Sequence, residues 1–364
     1  MYDFLVVGAG LFGSVFSREV AEAGKKVLLI DKRSHIGGMC YSEKVEGIDV
    51  HKYGPHTFHT ENKEIWEYVN KFAIFNSFQQ RTKVCNDGKI YSFPINMMTL
   101  NQLWGVVTPD QAREKLKKSQ HEIKNPNNLE EWILTQVGTE IYEIFIKGYT
   151  EKQWGKSAKE LPSFIIKRLP IRLTYDDRYF SDEYQGVPIN GYTNMFENML
   201  DHKNIKVQLN NDFFENQKEL QKSTKYTVFT GKIDEFFKYK YGNLQYRSLR
   251  FETEVLDGDF QGNSIINYTN KNIPYTRIVE HKHFTFKESS KTVITKEYPD
   301  DYNDTKIPFY PIVDDYNKNI YQKYKEESIS KNVIFGGRLG TYKYYDMHQI
   351  VGQALSKAKK SIIA

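Results

Sequence analysis

Residues 2–33, YDFLVVGAGLFGSVFSREVAEAGKKVLLIDKR, constrain the fold more than any other stretch of the chain. Phe4 to Val7 are apolar on both faces and read as a fully buried strand. Gly8-Ala9-Gly10-Leu11-Phe12-Gly13 follows and runs into a helix from Ser14 to Ala23, with Gly24 as its C-cap. Lys26 to Ile30 form a second strand that ends at Asp31. Gly8, Gly10 and Gly13 permit a tight turn and bring backbone amides close to a pyrophosphate at the helix N-terminus. Asp31, about twenty residues beyond, is placed to accept hydrogen bonds from an adenosine ribose. Strand, turn, helix, strand and acid in this order predict a Rossmann dinucleotide site with Phe12 and Lys32 at its margins.

Two later stretches favour FAD over NAD. Arg33-Ser34-His35-Ile36-Gly37-Gly38 places a second glycine pair after the acidic strand end, where a flavin cofactor continues along the backbone. Near the C-terminus the strand Val333-Ile334-Phe335 opens onto Gly336-Gly337-Arg338, and a helix is expected from Asp346 through Ala354. Amides and a cation there suit a phosphate or a flavin edge. No second complete GxGxxG appears mid-chain, which argues against a built-in nicotinamide domain.

Composition excludes several classes. With 364 residues, 39% hydrophobic and 27% charged, the chain suits one large domain or two to three entwined ones. Met1 is followed almost at once by FLVVG, which leaves no room for a signal peptide, and no apolar run approaches the ~20 residues of a membrane span. Cys40 and Cys85 form no CxxC pair, so disulfides and cysteine metal sites are not expected and a cytoplasmic setting is the default. The net charge of +5 is scattered. The run Lys115–Lys118 reads as a solvated helix face, so no nucleic-acid partner is expected. Aromatics are in excess, with 26 Tyr and 23 Phe, enough phenols for a polar pocket as well as a core.

Residues 98–155 carry helix signals: Thr108 as N-cap with Pro109 behind it, Asn128 before Glu130 and Glu131, and Ile141, Ile144 and Phe145 at helical spacing. A helix over Thr139–Lys147 is expected to stop at Gly148, which leaves the rings of GYTEKQWG without an obvious core face. From Arg247 to Lys296 the pattern alternates as an antiparallel sheet. The fold class is mixed α/β: a discontinuous Rossmann-like domain (1–75, 205–235, 330–364), an inserted helical domain (98–155), and a sheet domain for substrate (76–97, 156–204, 236–329). HKYGPHTFHT, with His51, His56 and His59, lacks a partnering Cys or Glu cluster; its histidines read as packed or capping groups, and no metal is expected. Arginines instead stand beside aromatics: Arg168 and Arg172, Arg178 with Tyr179, Arg247 with Tyr246, Arg277 with Tyr275. Arginine forks bind phosphate bidentately. The residues alone therefore point to a flavoenzyme acting on an anionic, nucleotide-linked substrate.

HIGG, HKYG-x-H-x-FHT, IKGYTEKQW, KELPSFIIKRLPIR, RYFSDEYQG, YRSL-x-FE, IPYTRI and FGGRLGTYKYYDMHQ stand in an order and spacing that resemble the prokaryotic UDP-galactopyranose mutases over the whole length. The resemblance implies an FAD domain, a helical bundle and a twisted sheet, and a cytoplasmic homodimer that feeds cell-surface polysaccharide synthesis. It implies a reversible, redox-neutral conversion of UDP-galactopyranose to UDP-galactofuranose, with N5 of the reduced flavin as the nucleophile at the anomeric carbon. Arg168 and Arg277 would clamp the diphosphate, and the loop Lys156–Arg172 would close over it. Phe145, Tyr149, Thr150 and Trp154 match the uridine segment. Tyr179, Tyr310 and Tyr344 match phenols on the phosphates, while Gln80, Arg247 and Asn267 match further substrate contacts. His56 falls beside the flavin and is grouped with the catalytic residues. Gly38, Met39, Thr57, Arg338, Tyr345, Asp346, Met347 and Ile350 match cofactor contacts. Met39-Cys40 departs from the family's usual Asn-Ala, as do Pro55, Thr57, Gln80 and Arg81 from their counterparts. These departures leave N-acetylgalactose and deoxyhexose nucleotides as alternative substrates, and a net FAD oxidoreductase as a more distant one. His59 favours galactose.

Overall fold

The opening strand Tyr2–Val7 lies at the centre of a five-stranded parallel sheet in the computed structural model, which describes residues 1–166, 170–329 and 332–363. Across the sheet the order is Val333–Phe335, Thr224–Phe229, Tyr2–Val7, Val27–Ile30, Ile205–Gln208, each neighbouring pair parallel. A parallel sheet is covered on both faces, which is why VLLI is continuously apolar and Leu5, Val6 and Leu29 are fully buried. Leu11–Glu22 packs beside the C-terminal helix Met347–Ile363 and the helix Gly191–Leu200. Phe16, Val20, Phe196, Val351 and Ala354 close the core between them. Each large apolar side chain buried there contributes about 2 kcal/mol. The C-terminal helix begins at Met347, close to the expected start, but continues well past Ala354 to Ile363.

The chain groups into two compact units, Met1–Phe78 with Asp182–Tyr246 and Pro308–Ala364, and Gln79–Ser181 with Arg247–Ile307. These bounds differ from the expected ones. Residues 76–78, 182–204, 236–246 and 308–329 group with the nucleotide-type sheet; within them, side chains such as Tyr192 and Phe196 are buried in its core. The helical block and the antiparallel sheet share one unit, because Leu129, Ile133, Ile141 and Phe145 bury their apolar stripe against Val84, Tyr91 and Phe93. A few short helices cannot complete a core of their own.

In that second unit the predicted caps are in place: Thr108 accepts from the amide of Gln111 and Asn128 from that of Glu131. The strands run in the order Tyr246–Asp257, Lys291–Asp301, Arg277–Glu280, Ile265–Tyr268, with antiparallel neighbours. Lys83–Asn86 then pairs in parallel with Ile265–Tyr268 and forms a hairpin with Lys89–Ser92. Among the described residues no helix is long and apolar enough to cross a membrane.

The helix does not stop at Gly148. Leu129–Ile141 passes through a wide turn, Tyr142–Lys147, into a further helix Gly148–Trp154, which ends at Gly155 with φ +64°. Gly148 is helical, and a Cβ there would lie 1.8 Å from the carbonyl oxygen of Thr269. This glycine lets helix and sheet loop approach; it is Gly155 that releases the chain.

Candidate functional site

In the first unit the glycine loop leaves the central strand at the carboxyl edge of the sheet, where ligands bind in folds of this kind. Gly8 has φ +104°, and a Cβ on Gly13 would sit 1.9 Å from the oxygen of Gly8, so turn and helix touch through bare backbone. The amides of Leu11, Phe12 and Gly13 belong to the first turn, whose donors have no partner within a helix. The second glycine pair folds back on the first: Gly37 donates to the oxygen of Ala9 at 2.8 Å, and a Cβ on Gly38 would meet Gly10 Cα at 2.8 Å. Asp31 is buried; its Oδ2 accepts from the Ala9 amide at 2.8 Å and its Oδ1 from Arg33 at 2.9 Å. The acid thus orders the loop, and its remaining lone pairs suit a ribose. Lys32 is exposed beyond it.

The C-terminal glycines join the same edge. Gly336 leaves room for the ring of Phe12, which would lie 2.1 Å from a Cβ, and Gly337 donates to Gln353 Oε1 at 2.8 Å. Arg338 Nε and Nη2 hold the oxygen of Tyr345 at 2.8 and 2.6 Å, and its guanidinium lies 4.6 Å over the ring of Tyr344. Tyr310 is the next ring, 5.9 Å from Tyr344. The amide of Asp346 donates to Gln349 Oε1. Met347 and Ile350 lie in the core and back the site from below; Met347 Sδ is 3.7 Å from the Cys40 thiol, which burial pushes up to about 12. Met39 is half-buried and Thr57 buried.

The three histidines make different contacts. His51 is buried neutral, pushed down to about 4, and its Nδ1 accepts from the His56 amide at 3.1 Å. His56 Nδ1 is 2.8 Å from the oxygen of Gly54, which can only accept, so that nitrogen carries the proton. His59 pairs with Asp182 and stands edge-on to His348, 5.2 Å away.

In the second unit Asn267, Arg277 and Glu297 are direct partners across three adjacent strands, so one face carries amide, guanidinium and carboxylate in a row. Arg277 Nε and Nη2 hold Glu297 Oε2 at 2.9 and 2.8 Å. Glu297 is 1% exposed, and its Oε1 and the Oδ1 of Asn267 are buried polar atoms without a partner among the described residues. Such atoms call for a ligand, water or ion. Helix Gly148–Trp154 packs against the strand Lys291–Asp301, bringing Tyr149, Thr150 and Trp154 to this part of the unit. Arg247 pairs with Asp301, donates to the oxygen of Gln153 at 3.1 Å, and occupies space that a Cβ on Gly155 would take.

Other expected residues fall differently. Phe145 is 2% exposed and packed against Tyr91 and Phe93, so its ring belongs to the core of this unit. Gln80 and Tyr179 are neighbours, the Tyr179 amide donating to the Gln80 oxygen at 2.7 Å. Arg178 is held by Asp176 in a two-pronged pair; Arg172 gives Nη1 to the backbone oxygens of Asp176 and Arg178, while its Nη2 is a buried donor without a partner among the described residues. Arg168, expected as the second clamp, lies outside the described residues, as does the part of its loop from 167 to 169. Glu297 was not anticipated; its inward position in the alternating strand TVITKEY was the available signal.

Residues 144–344 match the family model described as UDP-galactopyranose mutase. The chain belongs to the UDP-galactopyranose mutase family. Residues 6–72 separately match an NAD(P)-binding Rossmann-like domain. A probable UDP-galactopyranose mutase of Klebsiella pneumoniae is 42% identical over 98% of this chain and 94% of its own. A dTDP-fucopyranose mutase of Escherichia coli is 40% identical over 99% and 98%. The crystal structure of a reduced UDP-galactopyranose mutase has the same fold, with a TM-score of 0.76 at 15% identity over 100% of this chain and 96% of that one. As a member of this mutase family the protein is an FAD enzyme, and the double glycine cradle with Arg338 fits that cofactor.

Proposed function

We propose that the protein interconverts the pyranose and furanose forms of galactose carried on UDP, without net redox change. The observation that carries the reading is the Asn267–Arg277–Glu297 row in the unit that also holds the helix of Tyr149 and Trp154: a fixed cation for a diphosphate, and two buried acceptor oxygens that suit hydroxyl donors of a ribose or sugar. When bound and reduced, FAD supplies a nucleophilic nitrogen for the anomeric carbon. The chain's own task is then to bind UDP, hold it as a leaving group and return it. Arg277 neutralises the departing diphosphate, and Glu297 keeps the guanidinium aimed without a rearrangement during reaction. Tyr149 and Trp154 grip the uridine. Losing one stacking ring typically costs ~1–3 kcal/mol, so Trp154→Ala is expected to weaken UDP binding roughly tenfold, read by titration; unchanged affinity would remove Trp154 from the uridine site.

UDP-galactose and dTDP-fucose share the same sugar configuration, and the Escherichia coli relative supports the second as a distinct reading. Chromatographic assay of the reduced enzyme on each separates them. We expect kcat/KM at least tenfold higher for UDP-galactopyranose, and the reverse ratio would reassign the substrate. The reading extends to a cytoplasmic homodimer that supplies cell-surface polysaccharide synthesis; the two free thiols, Cys40 and Cys85, suit a reducing compartment.

A further inference from the structure

Lys152 lies in the aromatic helix between Tyr149 and Trp154. Its Nζ donates to four backbone oxygens of one loop: Tyr268 at 2.8 Å, and Asn270, Ile273 and Tyr275 at 2.9 Å each. Three N–H groups serve four carbonyls, so one proton is shared. The loop they belong to joins the strands Ile265–Tyr268 and Arg277–Glu280, where Asn267 and Arg277 are direct partners. Two further contacts fasten the same pieces: Glu151 Oε2 meets Lys271 Nζ at 2.7 Å, and Gly148 allows the Thr269 carbonyl to approach the helix. From its other side the loop is held by the hairpin, with Thr269 donating to Cys85 and Asn270 bonded to Asp87.

We propose that Lys152 is a positioning residue that locks the uridine-binding helix to the strand pair carrying Asn267 and Arg277, so that base and diphosphate are gripped in one register. The proposal rests on the assignment of those two segments to base and diphosphate. A carbonyl cluster around a cation is a rigid joint: every acceptor it orders lies between Tyr268 and Tyr275, the segment whose flanking strands bear Asn267 and Arg277. A ligand that touches only the helix does not need the joint; one that spans helix and strand pair does. Uridine is the first kind and UDP the second.

The joint is also titratable. Burial pulls the Lys152 ammonium down to about 8. The neutral amine would keep two N–H groups and turn a lone pair toward carbonyl oxygens, which repel it. The other ionisable groups facing it are Glu151 on the helix, paired with Lys271, and Tyr268 and Tyr275 on the loop; Cys85 and Asp87 lie on the hairpin. The Tyr268 phenol is raised by burial to about 12 and stays neutral through the relevant window. UDP affinity should therefore be full below pH 8 and fall as pH rises through it.

The test measures binding of UDP and of uridine to the FAD-loaded protein. For Lys152→Met we expect UDP affinity to fall tenfold or more, uridine affinity to change by less than about threefold, and Lys152→Arg to retain UDP binding. UDP affinity within twofold of wild type in Lys152→Met overturns the proposal. So does parallel loss of both ligands, which is what a merely structural lysine would give. Should Lys152→Met not fold, wild type and Lys152→Arg are compared from pH 7 to 9. A steeper decline in UDP affinity for wild type supports the joint, and superimposable profiles overturn it. If Trp154→Ala and Arg277→Ala both leave UDP binding intact, the underlying site assignment has failed instead, whatever Lys152 does.

Discussion

Arg277→Ala is expected to lower turnover by the reduced enzyme a hundredfold or more while the purified protein keeps its FAD. The guanidinium is the described cation fixed on the polar row, held through two nitrogens by a carboxylate that is 1% exposed. A preorganised donor of this sort is worth ~3 kcal/mol at the transition state. Its removal has a second consequence, because Glu297 would be left as a buried anion; breaking such a pair costs about 3–5 kcal/mol of stability. The comparison therefore includes Arg277→Met with Glu297→Gln, which removes both charges. Both enzymes should bind FAD normally, the double variant should recover melting temperature, and neither should recover turnover. An Arg277→Ala enzyme within tenfold of wild-type kcat would take the residue out of the chemistry.

Gly13→Ala is expected to yield protein with less than about a tenth of its FAD. The added Cβ would stand 1.9 Å from the oxygen of Gly8 and 3.2 Å from Val6 Cγ1. Neither neighbour can yield: one is the turn's backbone and the other belongs to the central strand. The helix must lift away, and the first-turn amides leave the position at which they would meet a pyrophosphate. Gly24→Ala is the control. It also changes a glycine, at φ +81°, but nothing lies within 4 Å of its Cβ, so only the left-handed backbone is strained, at ~1–2 kcal/mol. That variant should be slightly less stable and fully yellow. Normal flavin content in Gly13→Ala would contradict the tight contact between turn and helix.

How far these sites could be read in the sequence depends on the range over which they are built. The nucleotide loop was legible because its logic is local: the turn, the helix start and Asp31 all fall within 33 residues, and Asp31 does reach the loop, through the Ala9 amide. The caps at Thr108 and Asn128 were legible for the same reason. GYTEKQWG was misread because Gly148 is explained by Thr269, 121 residues away, which no local pattern announces. Glycine at that position looked like a helix stop, whereas it marks a close approach. Unit boundaries failed likewise: Phe196 and Tyr192 follow a helical period that says they are buried but not against which sheet. Arg178 and Arg277 each stand beside an aromatic in sequence. Only their carboxylate partners distinguish them, one on a nearby, partly exposed Asp176 and the other on buried Glu297 across a strand pair.

The most direct measurement is anaerobic chromatography of UDP-galactopyranose incubated with the dithionite-reduced protein, alongside the oxidised form, with the flavin spectrum recorded throughout. The account predicts many equivalents of UDP-galactofuranose per FAD from the reduced protein, none from the oxidised, and a flavin still reduced at the end. Product formed only in proportion to an oxidant consumed, or none from UDP-galactose or dTDP-fucose, would contradict it.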